Sequence, residues 1–269
     1  NREHFNCTIN DVEINFELVF VMIHGTPGED GVIQKYFDNL NIPYTGPSSE
    51  VALLTFNKKS CVEFARKNNI RTANSILIKE NTDFSYEKIG EELKFPLFVK
   101  ANNSGSSYGI SKVYNVKDLE IAIENSFEFD SEVLVEQFLD GKEVSVGVMN
   151  YENEIKVFGI TEIATTNDFF DYEAKYEGKH EEISPARINE IQKENVEKAA
   201  KEIYVKLNMR GFSRSDFIFI GDTPFLLEVN SIPGMTEQSI FPKQVKMNDI
   251  SLRKLFTYMI EDTLKNFKR

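Results

Sequence analysis

The pattern of apolar and polar positions predicts strands and helices that alternate along the first half of the chain. Residues 18–23 form a nearly unbroken apolar run, which is typical of a buried parallel strand. After it, apolar residues recur at three- and four-residue steps from 32 to 40, as on one face of a helix. The same reading predicts helices over 58–68, 116–129, 188–207 and 251–267, and strands near Ile76 and in FPLFVK and GISKV.

The second half is richer in β patterns. EVLVEQFL, KEVSVGVMN and EIKVFGITEI follow one another as three predicted strands. Residues 164–185 are polar and aromatic without a period, which predicts a long loop. Such loops are uncommon unless they are functional.

Composition narrows the classes of protein. With 269 residues, 41% of them hydrophobic, the chain can bury a core and is expected to divide into two or three lobes. A formal charge of -12 disfavours nucleic acid and anionic membranes as partners. Cys7 and Cys61 are interpreted as packing residues, which fits a reducing cytoplasm. No signal peptide or transmembrane run is visible in the sequence.

Polar residues interrupt the apolar hairpin GFSRSDFIFIGDTPFLLEVNSIPGMT. A three-residue turn at 221–223 would place Asp216 opposite Glu228 and Arg214 opposite Asn230, all on one face. Two like charges about 4.5–5.5 Å apart destabilise a sheet. A divalent cation would neutralise them, and carboxylate and amide oxygens suit Mg²⁺. The simpler alternative is a solvated face on which Arg214 pairs with Asp216.

The segment FVKANNSGSSYGISKV combines a cation with a glycine-rich run. Lys100 stands at a predicted strand end, and Gly105 and Gly109 follow it. Glycines let the backbone approach phosphate oxygens. The Gly-Lys-Ser/Thr order of a Walker loop is absent. Taken by itself, the segment fits a plain hairpin turn equally well.

The hairpin, which ends in EVNSIPGMT, and the glycine-rich segment resemble motifs of the D-alanine–D-alanine ligases of the ATP-grasp superfamily. Three further segments share the resemblance: HGTPGEDGVIQ, VEQFLDGKEVSV and FFDYEAKY. The motifs occur in the order found in the family and cover nearly the whole chain. The resemblance implies an α/β protein in which two α+β lobes grip ATP after a partial Rossmann-like N-terminal domain. The implied boundaries are 1–46 for the substrate domain, 47–134 for the central lobe and 135–269 for the C-terminal lobe.

The resemblance also implies a reaction. ATP would phosphorylate the carboxylate of one D-alanine, and the amine of a second would attack the acyl phosphate to give D-alanyl-D-alanine for peptidoglycan synthesis. The implied cofactors are ATP and two Mg²⁺ ions, with Mn²⁺ as an alternative. The implied partners are two molecules of D-alanine, and a homodimer is one assembly that the family allows.

Site residues carry over by position. Those implied to contact ATP are Lys58, Lys100, Glu136, Phe138, Leu139, Glu143 and Lys175. Those implied to hold metal are Asp216, Glu228 and Asn230. The implied catalytic groups are Arg214, Ser106, Tyr176 and Gly234, and the implied substrate contacts are His24, Ser239 and Ile240. Without the resemblance, Lys58 and Lys100 fit solvated surface lysines, the residues around Glu136 fit strand-end packing, and His24 fits a structural role. For Lys59, a solvated surface lysine is the expectation in either case.

Some positions depart from the family pattern. Asn57 stands where the family often has Asp, and Ala101 where it often has Pro. The family begins with a strand and a glycine-rich loop whose glutamate orients the first amine, and residues 1–269 contain no such segment. We therefore expect an incomplete first domain, with the full gene product carrying this additional N-terminal segment. Residues 1–269 alone are expected to bind magnesium-ATP but to make little or no dipeptide. The alternatives are a D-alanine–D-lactate ligase, in which Phe tends to replace Tyr176, and a non-catalytic ATP-binding relative.

Overall fold

Two antiparallel sheets form the framework of the protein, in a computed structural model that describes residues 5–103, 110–165 and 180–267. The strands are β1 (Asn6–Ile9), β2 (Val12–Asn15), β3 (Ser75–Lys79), β4 (Leu97–Ala101), β5 (Ser111–Val113), β6 (Glu132–Gln137), β7 (Lys142–Tyr151), β8 (Glu154–Thr165), β9 (His180–Ile183), β10 (Phe212–Ile220) and β11 (Thr223–Asn230). The helices are α1 (Val32–Leu40), α2 (Ser49–Phe56), α3 (Lys58–Lys67), α4 (Tyr86–Leu93), α5 (Val116–Phe127), α6 (Glu190–Lys206), α7 (Ile240–Lys246) and α8 (Leu252–Phe267).

The smaller sheet has the strand order β3-β6-β4-β5. Its apolar face packs against α4 and α5 in one core cluster. Leu97 and Val99 alternate with half-buried residues along β4, so the sheet has one buried face. The side chain of Lys100 therefore projects from the face opposite to Val99.

The larger sheet has the order β11-β10-β7-β8-β9 and is covered on both faces. Val144, Val146 and Val148 pack with α6 on one face. On the other face, Met149 and Phe212 pack with residues of α7 and α8. These two helices cover only one end of that face, and the polar residues of β7, β10 and β11 lie toward the other end.

The N-terminal part corrects the sequence reading. The predicted strand over 18–23 is wrong, because only Val19 makes a ladder contact, a parallel bridge to Tyr44. The first regular element is instead the β1–β2 hairpin, which periodicity did not reveal. Helix α1 is confirmed, and its buried Phe37 packs with Val21 and Tyr44.

Elsewhere most predicted elements are confirmed, with boundary changes. The predicted loop over 164–185 is too long, because β8 runs to Thr165 and β9 begins at His180. Helices α2, α4 and α7 were missed, since each has only seven or eight residues. Both cysteines are unpaired, and Cys61 is buried as expected. Within the described residues, no helix combines the length and apolarity needed to cross a membrane.

The β10–β11 hairpin reaches the predicted pairing by a different route. The turn has two residues, not three, because Ile220 pairs with Thr223. A bulge between the pairs of Asp216 and Phe217 then adds one residue to β11, so that Glu228 faces Asp216. Without this bulge, strand alternation would put Glu228 on the same face as the fully buried Leu226. The bulge therefore turns Glu228 away from the core.

This geometry predicts the effect of removing the extra residue. Deletion of Leu227 should restore a regular ladder in which Glu228 still pairs with Asp216, so the free energy of unfolding, measured by urea denaturation, should change little. An alanine inserted after Leu227 should instead move Glu228 to the apolar face packed on α6, where an unpaired carboxylate costs roughly several kcal/mol. We therefore expect the insertion to cost clearly more stability than the deletion. Equal losses in the two variants would contradict the role of the bulge.

Candidate functional site

The two carboxylates of the hairpin lie opposite each other, as predicted. Arg214 donates from Nε and Nη2 to the Asp216 carboxylate at 3.2 and 3.0 Å. The Asn230 amide nitrogen lies 3.3 Å from Asp216 Oδ2 and 3.2 Å from Glu228 Oε1. All four side chains thus share one face and contact one another.

This face is not a solvated one. Asp216 is only 8% exposed, although the Arg214–Asp216 pair of the simpler alternative does form. Its carboxylate also accepts a hydrogen bond from the buried Ser145, with Oγ 2.5 Å from Oδ1. The sequence analysis missed Ser145. Strand alternation could have found it, because it stands two residues after Glu143 on the same face.

The donor chemistry suits a hard divalent cation. Two carboxylates and one amide converge, and Mg²⁺ takes such oxygens together with water and substrate phosphates. Nowhere in the described ranges do three His, Cys, Asp or Glu side chains form a metal cluster. A cation held here would therefore draw on Asp216, Glu228 and the amide oxygen of Asn230.

Two lysines from outside the hairpin approach the same region: Lys58 is the first residue of α3, and Lys100 lies on β4 of the smaller sheet. Burial lowers the pKa of Lys58, against the opposing effect of the Glu228 carboxylate. Burial also lowers the pKa of Lys100, but its ion pair with Glu136 outweighs this and raises the pKa overall. Neither is a solvated lysine. Lys59 is not one either, since its Nζ donates to the Ser75 carbonyl at 3.1 Å.

Lys58 owes its position to local structure. Asn57 caps α3, with its side chain accepting a hydrogen bond from the Ser60 N–H at 2.8 Å. The Lys58 N–H donates to the Asn102 carbonyl at 3.1 Å. The Asn102 side chain also accepts from the Lys59 N–H at 2.8 Å and is fully buried. The first turn of α3 is thereby fixed to the end of β4.

The predicted adenine hinge follows β6 into β7. The Glu136 carboxylate forms an ion pair with Lys100, and Leu139 is half-buried. The Phe138 ring lies 5.8 Å from the Phe98 ring, and Lys112 Nζ lies 4.0 Å from its centroid. Glu136 and Phe138 therefore lie beside Lys100 and Lys112, and their role toward adenine stays a prediction.

Glu143 is a carboxyl of the site whose pKa is strongly perturbed. Burial raises its pKa to about 8, and the neighbouring Asp216 and Glu228 carboxylates add to the effect. At neutral pH, in the absence of a cation, this carboxyl therefore holds its proton.

A second cluster contains the predicted substrate contacts. A Cβ added to Gly234 would lie 2.8 Å from Ser239 Oγ and 3.6 Å from His24 Nε2, so the three residues adjoin. His24 Nδ1 lies 3.3 Å from Glu29 Oε2, and Glu29 also accepts from the Gly25 N–H at 2.6 Å. Glu29 was missed, although it stands in the same HGTPGEDG motif. Ser239 precedes α7, of which Ile240 is the first residue.

Three predicted residues have no described structure. Ser106, Lys175 and Tyr176 lie outside the described residues. Their roles remain predictions.

The raised pKa of Glu143 predicts a pH dependence. The folded state binds more protons than the unfolded state between the ordinary pKa of 4.5 and about pH 8. The free energy of unfolding should therefore fall across this window, with no further loss above it. Gln mimics the protonated carboxyl and does not titrate. In melting curves without divalent cations, the difference in melting temperature between Glu143→Gln and wild type should therefore shift in favour of the variant as pH rises. Glu190→Gln, at an exposed position, is the control, and parallel pH profiles for Glu143→Gln and wild type would contradict the assignment.

Comparison with known proteins identifies the family of the chain. The family model for the D-ala D-ala ligase C-terminus matches residues 66–261, and the model for the D-ala D-ala ligase N-terminus matches residues 2–47. A D-alanine–D-alanine ligase of Flavobacterium johnsoniae is 47% identical over 98% of this chain and 82% of its own length.

Solved structures share the fold. A D-alanine–D-alanine ligase from Bacillus anthracis complexed with ATP superposes with a TM-score of 0.82 at 28% identity, over 94% of this chain and 81% of that one. The VanG D-Ala:D-Ser ligase of Enterococcus faecalis superposes with a TM-score of 0.87 at 33% identity, over 97% and 77%. The two lobes therefore form an ATP-grasp fold, and the chain belongs to the D-alanine–D-alanine ligase family.

Proposed function

We propose that this protein joins two D-alanines into D-alanyl-D-alanine with conversion of ATP to ADP and phosphate, in the cytoplasm, for peptidoglycan synthesis. The observation that carries the proposal is the convergence of cations and opposed carboxylates at one site. Arg214, Asp216 and Glu228 come from the larger sheet, Lys58 from the start of α3 and Lys100 from the smaller sheet. A nucleoside triphosphate requires positively charged side chains for its phosphates beside carboxylates that can bind magnesium.

ATP lies, in this proposal, between the lobes 47–134 and 135–269. Its phosphates contact Lys58 and Lys100. Lys100 is free to contact phosphate once Glu136, its ion-pair partner, turns to the adenine edge as a proposed hinge residue. Phe138 and Leu139 flank the base, and Glu143 accepts from the ribose hydroxyls. The structure of the Bacillus anthracis relative, which is complexed with ATP, supports ATP as the nucleotide.

Metal binding would occupy the acidic pair. Asp216, Glu228 and Asn230 would hold magnesium, or manganese in its place. Magnesium, when bound, supplies positive charge against the phosphate oxygens. The chain itself contributes Arg214, whose guanidinium lies beside Asp216 and can reach phosphoryl oxygens.

The chemistry follows in two steps. A carboxylate oxygen of the first D-alanine attacks the γ-phosphorus, and the bond to ADP breaks. The amine nitrogen of the second D-alanine then attacks the acyl carbon, loses a proton, and phosphate leaves. Arg214 and the Gly234 N–H stabilise the negative oxygen of the tetrahedral intermediate. Ser106, Lys175 and Tyr176 close the site against water, as the family resemblance implies.

The substrate end is assigned to the second cluster. His24 lies near the first D-alanine, and Ser239 with the Ile240 N–H receives the carboxylate of the second. The adjacency of Ser239, Gly234 and His24 supports this, because the nucleophile must lie beside the oxyanion donor.

The direct test is release of ADP by the full-length protein, measured with and without D-alanine. We expect D-alanine-dependent ADP release together with dipeptide, detected by mass spectrometry. Parallel arms offer D-serine or D-lactate as the second substrate. ADP release that does not depend on D-alanine, or ATP binding without turnover, would contradict the proposal.

The metal assignment gives a separate prediction. Glu228→Gln should lower magnesium-dependent turnover by about a hundredfold or more, since several kcal/mol of charge stabilisation depend on the cation. The apo protein should unfold at the same temperature or slightly above wild type, because repulsion with Asp216 is relieved. Glu237→Gln, an exposed change nearby, should behave as wild type. Near-normal turnover of Glu228→Gln would refute the assignment.

A further inference from the structure

Three side chains in the described part of the chain donate hydrogen bonds to Asp216. Arg214 donates to both carboxylate oxygens, Asn230 donates to Oδ2 at 3.3 Å, and Ser145 donates to Oδ1 at 2.5 Å. The Ser145 contact is the shortest of these. Ser145 and Asp216 are also direct partners in the β7–β10 register, so the contact needs no reach along the strand.

Two of these donors have other work in the proposed reaction. Arg214 must share its N–H groups with phosphoryl oxygens. Asn230 must give its amide oxygen to the cation, and an amide that does so points its NH₂ group away from it. Ser145 has no such second duty. Its hydroxyl can stay on Asp216 when substrates and metal are bound.

The backbone of Ser145 is held in place by a buried glutamine. Its carbonyl oxygen accepts a hydrogen bond from Gln244 Nε2 at 2.9 Å, and the same nitrogen donates to Thr161 Oγ1 at 2.9 Å. Gln244 and Thr161 are fully buried. The Gln244 side chain fits because its neighbours on the sheet are glycines. A Cβ on Gly147 would lie 2.2 Å from Gln244 Oε1, and one on Gly159 would lie 3.0 Å from Gln244 Cγ.

We propose that Ser145 is a positioning residue, which orients the Asp216 carboxylate for the divalent cation while Gln244 fixes the strand that carries it. This inference rests on the proposed function. A carboxylate that coordinates through one oxygen needs a partner on the other to keep its rotamer. The hydroxyl also offsets part of the repulsion from Glu228 before the cation arrives.

The test compares metal affinity in matched serine variants. Ser145→Ala should raise the Mn²⁺ concentration for half-saturation of the protein–ADP complex, measured by electron paramagnetic resonance, by about tenfold to a hundredfold. The Mg²⁺ requirement for ADP release should rise in parallel. Ser145→Thr, which keeps the hydroxyl, should stay near wild type.

Ser215→Ala is the control for buried-serine loss. Ser215 precedes Asp216 and is equally buried, but it projects to the opposite face, among residues packed on α6. It should leave the metal dependence unchanged. Should Ser145→Ala fail to fold, Gln244→Met decides: it keeps the side-chain length and removes both donors, so a raised metal requirement supports the proposal and an unchanged one overturns it.

The outcomes separate the two hypotheses. Metal binding of Ser145→Ala within about twofold of wild type, or an equal shift in Ser145→Thr, overturns the role of Ser145. Wild-type protein that shows no D-alanine-dependent ADP release overturns the proposed function instead. The Mn²⁺ measurement, which needs no turnover, still tests Ser145 in that case.

Discussion

Repulsion between two carboxylates fixed opposite each other is the constraint on which this site depends. Asp216 and Glu228 cannot separate, because the β10–β11 ladder sets their positions. Each nearby cation or donor can be understood as a response to this charge. Arg214 and the Asn230 amide compensate it within the hairpin, and Lys58 approaches it from the start of α3. A buried lysine is costly by itself, so its position beside Glu228 lowers the cost on both sides.

The same electrostatics couple the two lobes. Lys100 and Glu136 pair on the smaller sheet, and the field of Glu228 reaches Lys100 as well. Glu143 shows the other consequence: burial raises its pKa, and the Asp216 and Glu228 carboxylates raise it further. A cation bound between Asp216 and Glu228 would favour ionisation of Glu143. Metal and nucleotide binding would then reinforce each other, because an ionised Glu143 is a better acceptor for ribose hydroxyls.

Strand alternation was enough to predict the shared face of Arg214, Asp216, Glu228 and Asn230, but not how the chain produces it. The turn at Gly221 was predicted one residue too long, and the bulge at Leu227 was not foreseen. The two errors cancel at Asp216, so the pairing there is confirmed by compensation. Local periodicity cannot reveal a bulge, since its cause is the cost of turning Glu228 into the core. Helices as short as α4 also escape it, and so does the approach of His24 to Gly234, which only tertiary structure brings about.

A backbone irregularity and two glycines both shape the polar face of the larger sheet. The bulge in β11 moves a carboxylate onto the functional face, whereas Gly147 and Gly159 clear space on that face for Gln244. A regular sheet with ordinary side chains would offer neither. Because Gln244 belongs to α7, which begins directly after Ser239, the helix beside the proposed second-substrate position is tied to the strand that carries Ser145. The separation between Asp216, the proposed metal ligand, and Ser239, the proposed substrate contact, is therefore set by buried hydrogen bonds that join the larger sheet to α7.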